Sequence, residues 1–215
     1  MNSQGIQLPI SEQGFYFVKR YAKTIGVILM IVAGFVYAGY RRHLQQQARQ
    51  AQVAAAYAEI VPLLTAEKAQ AEQAEKTIEQ FIDQHQESVY GTLLALQWAK
   101  HWVDQQAYDR AAAQLTAALQ RTQDSDLQAV IRLRLARLQD QLNQHTEALK
   151  TVAGLQKSQA WGLTAQALRG DILRHQQDFA GARAAYQQVL NSGASPLQPL
   201  VKLWLNELGD NQEKP

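Results

Sequence analysis

The sequence of 215 residues contains no cysteine, which excludes disulfide frameworks, thiolate zinc sites and cysteine nucleophiles. Proline and glycine are scarce, at 5 and 12 residues, beside abundant alanine, leucine and glutamine. Sustained alternation of Val, Ile or Thr with polar residues is missing, so strands are not expected. Alanine and unbranched side chains lose little entropy on entering a helix. The composition therefore predicts an all-α protein.

Motifs of enzymes and cofactor sites are absent as well. The sequence contains no G-x-x-x-x-G-K-[ST] phosphate loop, no G-x-G-x-x-G and no G-x-S-x-G. None of the histidines, His43, His85, His101, His145 and His175, pairs with another at i, i+4 beside a carboxylate, as a metal site would require. We expect solvated or capping histidines, no catalytic residue, no metal, no cofactor and no enzymatic activity.

Positive charge is confined to one part of the chain. Lys19, Arg20, Lys23, Arg41 and Arg42 all flank a single apolar run. Of 21 basic and 19 acidic residues, the part beyond residue 42 keeps 16 and 18, so its net charge is −2. Because this part has no general basic field, we expect no nucleic-acid partner.

The apolar run at residues 24–40, TIGVILMIVAGFVYAGY, contains no charged residue. As a helix it would extend about 25 Å, close to the thickness of a bilayer core. Tyr21, Tyr37 and Tyr40 lie where interfacial aromatic residues are common, and Lys23 can reach the interface. We predict a transmembrane helix at 21–41. A cleaved signal peptide, with VYA at 36–38 as its cleavage site, and a buried helix of a soluble domain remain alternatives.

The residues around this helix set the expected topology. Three Lys or Arg residues precede the helix closely and two follow it, which favours a cytoplasmic N-terminus by the positive-inside rule. We therefore predict a cytoplasmic tail at 1–20 and a C-terminal domain outside the cytoplasm. The lipid bilayer is the expected partner of residues 21–41.

The remainder of the chain shows helical periodicity and internal repetition. Residues 43–87 read as a helical hairpin that leads into the repeats. Ala111, Ala148 and Ala182 align three similar segments, at separations of 37 and 34 residues. Both lie near the 34-residue period of tetratricopeptide repeats, which are helix pairs stacked into a superhelix. We predict such repeats with a C-terminal capping helix over 88–208, and a disordered tail at 209–215.

Two sets of side chains follow from this alignment. Small residues would let the first helix of a pair approach the second, and large ones would fill the gaps. The predicted packing residues are Trp98, Ala99, Trp102, Tyr108, Ala111, Ala136, Ala148, Gly170, Phe179, Ala182 and Tyr186. An aromatic ligand cage around Trp98 and Trp102 is the alternative.

The second set lies on the first helix of each pair, which lines the concave face of such arrays. The predicted groove residues are Leu96, Lys100, Val103, Leu133, Arg134, Arg137, Leu168, Asp171 and Arg174. Leucines could accept apolar side chains of a peptide, and arginines its carboxylates. The alternative is a solvated face whose charges pair with one another. Lys and Asn are missing from the positions that clamp an acidic C-terminus in some chaperone arrays, so that mode is not supported.

Three stretches also resemble a known family. They are YGTLLALQWAKHWVDQQAYDRAAAQL at 90–115, AVIRLRLARLQDQLNQHTEALKTV at 129–152 and LRGDILRHQQDFAGARAAYQQVL at 168–190. With the single anchor, they resemble YfgM-type ancillary subunits of the SecYEG translocon. The resemblance implies an inner-membrane protein with periplasmic repeats and no enzymatic activity. It also implies association with SecYEG and the membrane-anchored chaperone PpiD, and a chaperone-like role toward unfolded or emerging polypeptides.

Two other functions fit the same architecture. An envelope scaffold for cell-wall or division machinery would use the repeats to bind different partners. A regulator would act through its cytoplasmic tail on a cytosolic protein.

Overall fold

The computed structural model describes residues 12–65, 71–193 and 195–210, and these contain helices but no strand. The all-α prediction is confirmed. Predictions for residues 1–11 and 211–215, which include most of both tails, lie outside the described residues. The helices are α1 Glu12–Ile60, α2 Ala71–Gln84, α3 Val89–Asp104, α4 Tyr108–Arg121, α5 Ser125–Gln141, α6 His145–Ala153, α7 Gly162–His175, α8 Phe179–Asn191 and α9 Gln198–Asp210.

The chain divides into a first unit, Met1–Gln52, and a second unit, Val53–Pro215. In the first unit α1 exposes a band of large apolar side chains, with Leu29, Met30 and Phe35 at 62%, 73% and 77% exposure. Such a band in water would be costly, whereas lipid would cover it. By length and composition, the segment Gly26–Leu64 could cross a membrane. The apolar run at 24–40 is therefore part of one longer helix.

That helix extends beyond the predicted 21–41 on both sides. It begins at Glu12 and continues to Ile60, where a short 3₁₀ helix, Val61–Thr65, follows. The sequence at 41–60 explains the continuation, because it contains neither glycine nor proline and is rich in alanine and glutamine. The first helix of the predicted hairpin at 43–87 is thus a continuation of the helix that contains the candidate span.

In the second unit, the end of α1 packs into a first hydrophobic cluster with α2 and α3. Tyr57 is part of this contact, and its hydroxyl accepts a hydrogen bond of 2.7 Å from Nε2 of Gln97. On α2, Ile78, Phe81 and Ile82 are buried at helical spacing. These contacts join the chain that follows the apolar run at 24–40 to the first helix pair.

Three helix pairs follow in sequence: α3 with α4, α5 with α6 and α7 with α8. Helix α9 packs against α8, as expected of a capping helix, and runs to Asp210. The predicted disordered tail therefore begins with two helical residues. The second helix of each pair packs on the first helix of the next pair, α4 on α5 and α6 on α7, and α5 also contacts α7 directly.

All three pairs use the same turn between their helices. Gln106, Asn143 and Gln177 adopt left-handed backbone conformations, with φ of 60°, 58° and 65°. In each turn the next residue donates to a carbonyl five residues back, as Ala107 does to Trp102 at 2.8 Å. This bond defines a Schellman motif. The turns thus repeat in geometry at the 37- and 34-residue spacing of the aligned alanines.

Most of the predicted packing residues are buried. One contact explains a small residue: a Cβ atom on Gly170 would lie 2.3 Å from Cε1 of Tyr186. Tyr108 is half-buried against the first cluster. Phe179 differs from the prediction, since it is the first residue of α8 and is 37% exposed. The buried members are Trp98, Ala99, Trp102, Ala111, Ala136, Ala148, Gly170, Ala182 and Tyr186.

The rings of Trp98 and Trp102 pack against each other and against other side chains of the same chain. The ring of His101 stacks on Trp98 at a centroid distance of 4.5 Å. The indole of Trp102 meets Trp98 edge-on, and the guanidinium of Arg110 lies 4.5 Å from its ring centroid. Trp98 and Trp102 are only 3% and 8% exposed. This arrangement favours packing over an aromatic ligand cage.

Candidate partner-binding groove

The first helices of the pairs position the nine predicted groove residues in different environments. Lys100, Arg134 and Arg137 are exposed, whereas Val103 is half-buried. Asp171 and Arg174 on α7 are also half-buried. Because Arg134 and Arg137 are three residues apart on α5, their side chains share one helix face.

Two predicted groove leucines belong to the core instead. Leu133 and Leu168 are 5% and 4% exposed and lie in one hydrophobic cluster between the second and third pairs. Helix α5 packs directly on α7, and this cluster combines buried side chains of both helices. Neither leucine lines the pocket between α3 and α5. Leu96 is also buried, at 5% exposure, but it borders an open pocket.

That pocket opens between α3 and α5 and has a volume of about 340 Å³. Its size is at the lower end of ligand-binding pockets. Five of the nine predicted groove residues line it, so the structure brings together residues from two successive repeats. The lining residues are Leu96, Ala99, Lys100 and Val103 of α3, Leu115 of α4, and Arg134, Arg137 and Leu138 of α5.

The pocket combines an apolar interior with a cationic rim. On α3, Nζ of Lys100 donates to Oδ2 of Asp104 at 2.5 Å, which neutralises that charge locally. In the part of the chain that the structure describes, neither Arg134 nor Arg137 forms a salt bridge with a carboxylate. Arg137 interacts electrostatically with Asp171. The rim therefore retains unpaired positive charge, most clearly at Arg134.

Asp171 lies next to this rim and is tied to the core of the third pair. The hydroxyl of Tyr186 donates to its Oδ1 at 2.7 Å. Burial raises the pKa of the Asp171 carboxyl, although Tyr186, Arg174, His175 and Arg137 oppose the shift. Burial and the bond to Asp171 likewise raise the pKa of Tyr186. The carboxyl is thus held in place at the edge of the groove.

The junction between the second and third pairs contains a polar cluster that the sequence did not predict. Asp140 near the end of α5 is 9% exposed. Its Oδ1 accepts from Nδ1 of His145 at 2.8 Å, and its Oδ2 accepts from Nδ1 of His175 at 2.6 Å. One carboxylate therefore joins the ends of α5 and α7 and the start of α6. Both histidines were expected to be solvated or capping, and neither is simply solvated.

No cluster of three or more metal-ligating side chains occurs within residues 12–65, 71–193 and 195–210. His145 and His175 each donate from Nδ1 to the carboxylate of Asp140, so these three side chains form a hydrogen-bonded cluster. Five of the predicted groove residues meet at the apolar pocket with a cationic rim between α3 and α5, which makes it the candidate site for a partner.

These features define an all-α protein of stacked helix pairs that follows a helix able to span a membrane. The family described as a tetratricopeptide repeat-like domain matches residues 16–210. The protein named Ancillary SecYEG translocon subunit in Escherichia coli (strain K12) is 34% identical over 195 residues, covering 90% of this chain and 91% of that relative.

The relative of the same name in Haemophilus influenzae is 32% identical over 192 residues, with 88% and 91% coverage. In Aggregatibacter actinomycetemcomitans the identity is 35% over 141 residues, with 66% and 67% coverage. The chain therefore belongs to the family of ancillary SecYEG translocon subunits, as the resemblance in its repeat segments indicated.

Proposed function

We propose that this protein is a non-enzymatic interaction module, anchored in the inner membrane, that associates with the SecYEG translocon and holds segments of polypeptide in its groove. Relatives that match nearly the whole chain are named for this association. The observation that supports the second part is the α3–α5 pocket, where two successive repeats together form a ligand-sized cavity with an apolar interior.

A chaperone-like role is part of the proposal. Emerging chains expose apolar side chains that would otherwise aggregate. The pocket formed by the repeats could hold such a side chain briefly. The partners that we propose are SecYEG, a PpiD-type membrane-anchored chaperone and unfolded or emerging polypeptides.

Co-purification tests the association. Tagged full-length protein would be extracted from membranes in mild detergent, and the proteins that accompany it would be identified by mass spectrometry. A matched variant would carry an unrelated spanning sequence in place of residues 24–40. We expect recovery of SecY, SecE, SecG and PpiD, with partial loss in the variant. Recovery of wall-synthesis or division enzymes alone would contradict the proposal and favour an envelope scaffold.

The proposed orientation places the N-terminal tail in the cytoplasm and the repeats in the periplasm. Because the chain has no cysteine, single introduced cysteines report their own accessibility. In spheroplasts, which have lost the outer membrane but keep an intact inner membrane, Lys202→Cys should react with a membrane-impermeant maleimide. Ser3→Cys should react only after the inner membrane is disrupted. The reverse pattern would contradict the orientation.

A further inference from the structure

The chemistry of the α3–α5 pocket restricts the polypeptide that it fits. Its interior is aliphatic, with Leu96 and Val103 on α3, Leu115 on α4 and Leu138 on α5. Leu96, Leu115 and Leu138 are 5%, 1% and 8% exposed. An aliphatic or aromatic side chain that entered the pocket would therefore be removed from water on several sides.

The cations at its rim add a second requirement. Arg134 and Arg137 are exposed on one face of α5, and both line the pocket. Asp104 is already bonded to Lys100. Arg137 interacts with Asp171 electrostatically without a salt bridge, and Arg134 forms no salt bridge with a carboxylate of the described residues. A guanidinium binds a carboxylate through two parallel hydrogen bonds, and such bonds are stronger than neutral ones. The two arginines thus leave a place for carboxylates supplied by a ligand.

We infer that the pocket binds extended polypeptide segments in which an apolar side chain lies next to one or more carboxylates. This inference rests on the proposed function, since it names the ligand of the same groove. The apolar side chain would enter between α3 and α5, and the neighbouring Asp or Glu would pair with Arg134 and Arg137. Segments that combine apolar and basic residues would be repelled.

Three fluorescein-labelled peptides in a Gly-Ser host sequence test this preference. One has the core Leu-Glu-Leu-Glu, one has Leu-Lys-Leu-Lys and one has Ser-Glu-Ser-Glu. Fluorescence anisotropy with full-length protein in neutral lipid nanodiscs would report their affinities. We expect the first peptide to bind at least about tenfold more tightly than either of the others, since it alone forms both kinds of contact.

Substitutions then assign the site. The double variant Arg134→Gln and Arg137→Gln should weaken binding of the acidic–apolar peptide about tenfold or more. Val103→Asn should weaken it by removing apolar surface. Arg132→Gln is the matched control, because Arg132 lies on the same helix but against Gly154 and outside the pocket. We expect α5 to stay folded when these arginines are replaced by glutamine, and circular dichroism would verify it.

Equal binding of the acidic and basic peptides, or unchanged binding by the double arginine variant, would overturn the inference. Tight binding of Ser-Glu-Ser-Glu would also overturn it, because the apolar interior would then be irrelevant. If no peptide binds while the full-length protein still co-purifies with SecYEG, the inference fails and the proposed association stands. Loss of co-purification in the unmodified protein would reject the proposed function itself.

Discussion

The two junctions between successive helix pairs are built from equivalent helices, but one contains an open pocket and the other is filled by side chains. Between α3 and α5 a pocket of about 340 Å³ remains, with exposed Arg134 and Arg137 at its rim. Between α5 and α7, Leu133 and Leu168 belong to one buried cluster, and Asp140 accepts hydrogen bonds from His145 and His175. The comparison teaches that repetition fixes the scaffold, whereas single side chains decide which junction stays open.

The largest expected effect comes from adding a methyl group at the tight contact between α7 and α8 in the third pair. Gly170→Ala should lower the free energy of unfolding by about 3 kcal/mol, because the new Cβ would overlap the buried ring of Tyr186. Units one and two have Ala99 and Ala136 at this position, opposite smaller partners, so alanine itself fits the repeat. Chemical unfolding followed by circular dichroism would measure the loss.

A double variant makes that experiment specific. The residue of unit two aligned with Tyr186 is Val152, so Tyr186→Val should remove the overlap and make the added methyl group less costly. The interaction free energy from the four proteins should therefore be stabilising. Additive losses would indicate that the Gly170–Tyr186 contact does not determine the packing of the third pair.

The hydrogen-bonded cluster around Asp140, at the junction between α5 and α7, should give the next largest effect. Asp140→Ala would remove two hydrogen bonds to His145 and His175 and lower the free energy of unfolding by about 2 kcal/mol. At the open junction, Asp104→Ala removes only an exposed pair and should change stability by less than about 0.5 kcal/mol. Similar losses in the two variants would contradict the distinction between the junctions.

A smaller effect depends on pH. Since burial raises the pKa of Asp171 above its ordinary 3.8, the folded protein keeps this proton at pH values where the unfolded chain has lost it. The free energy of unfolding should therefore fall as pH rises through this window, and the loss should persist above it. Asp171→Asn removes this loss and can still accept from Tyr186. Its melting temperature should exceed that of the unmodified protein by up to about 2 °C at pH 7 and match it below pH about 3.8.

A melting temperature for Asp171→Asn that stays at or below that of the unmodified protein throughout the pH range would contradict the assigned role of burial. The comparison between the two proteins removes the contributions of all other carboxylates, which both proteins share.

The smallest effect concerns the turns that both junctions share. Gln106→Gly should relieve the cost of a left-handed glutamine and raise the free energy of unfolding by about 0.5 kcal/mol. The equivalent Gln177→Gly should behave alike. Gln105→Gly, one residue earlier and at negative φ, is the control and should destabilise. A loss of stability in Gln106→Gly would mean that the turn is not strained.

Local patterns allowed much of the fold to be predicted. Helical composition, the uncharged run at 24–40 and the spacing of Ala111, Ala148 and Ala182 are properties of short stretches, and each determined an element or a repeat. Position on the first helices is what predicts the groove residues. Positions could not distinguish Leu96, which borders the pocket, from Leu133, which is covered by α7.

The rest depended on how the pairs stack. Asp140 and His175 are 35 residues apart, and they meet only because α5 and α7 end side by side. The spacing of His145 from Asp140 resembles no metal or capping motif, so it does not predict their contact. The positive φ of Gln106, Asn143 and Gln177 is also invisible in the sequence, since glycine or asparagine would signal such a turn and only one of the three is asparagine.

The central claim is that the α3–α5 pocket binds polypeptide while the protein is in the membrane. A photo-crosslinking amino acid placed at Val103, inside the pocket, would test it most directly in living cells during protein export. Thr116, exposed on α4 and outside the pocket, is the matched control position. The account predicts crosslinks to exported polypeptides from Val103 that disappear when export is blocked, and few from Thr116. Equal crosslinking from both positions, or crosslinking from Thr116 alone, would contradict it.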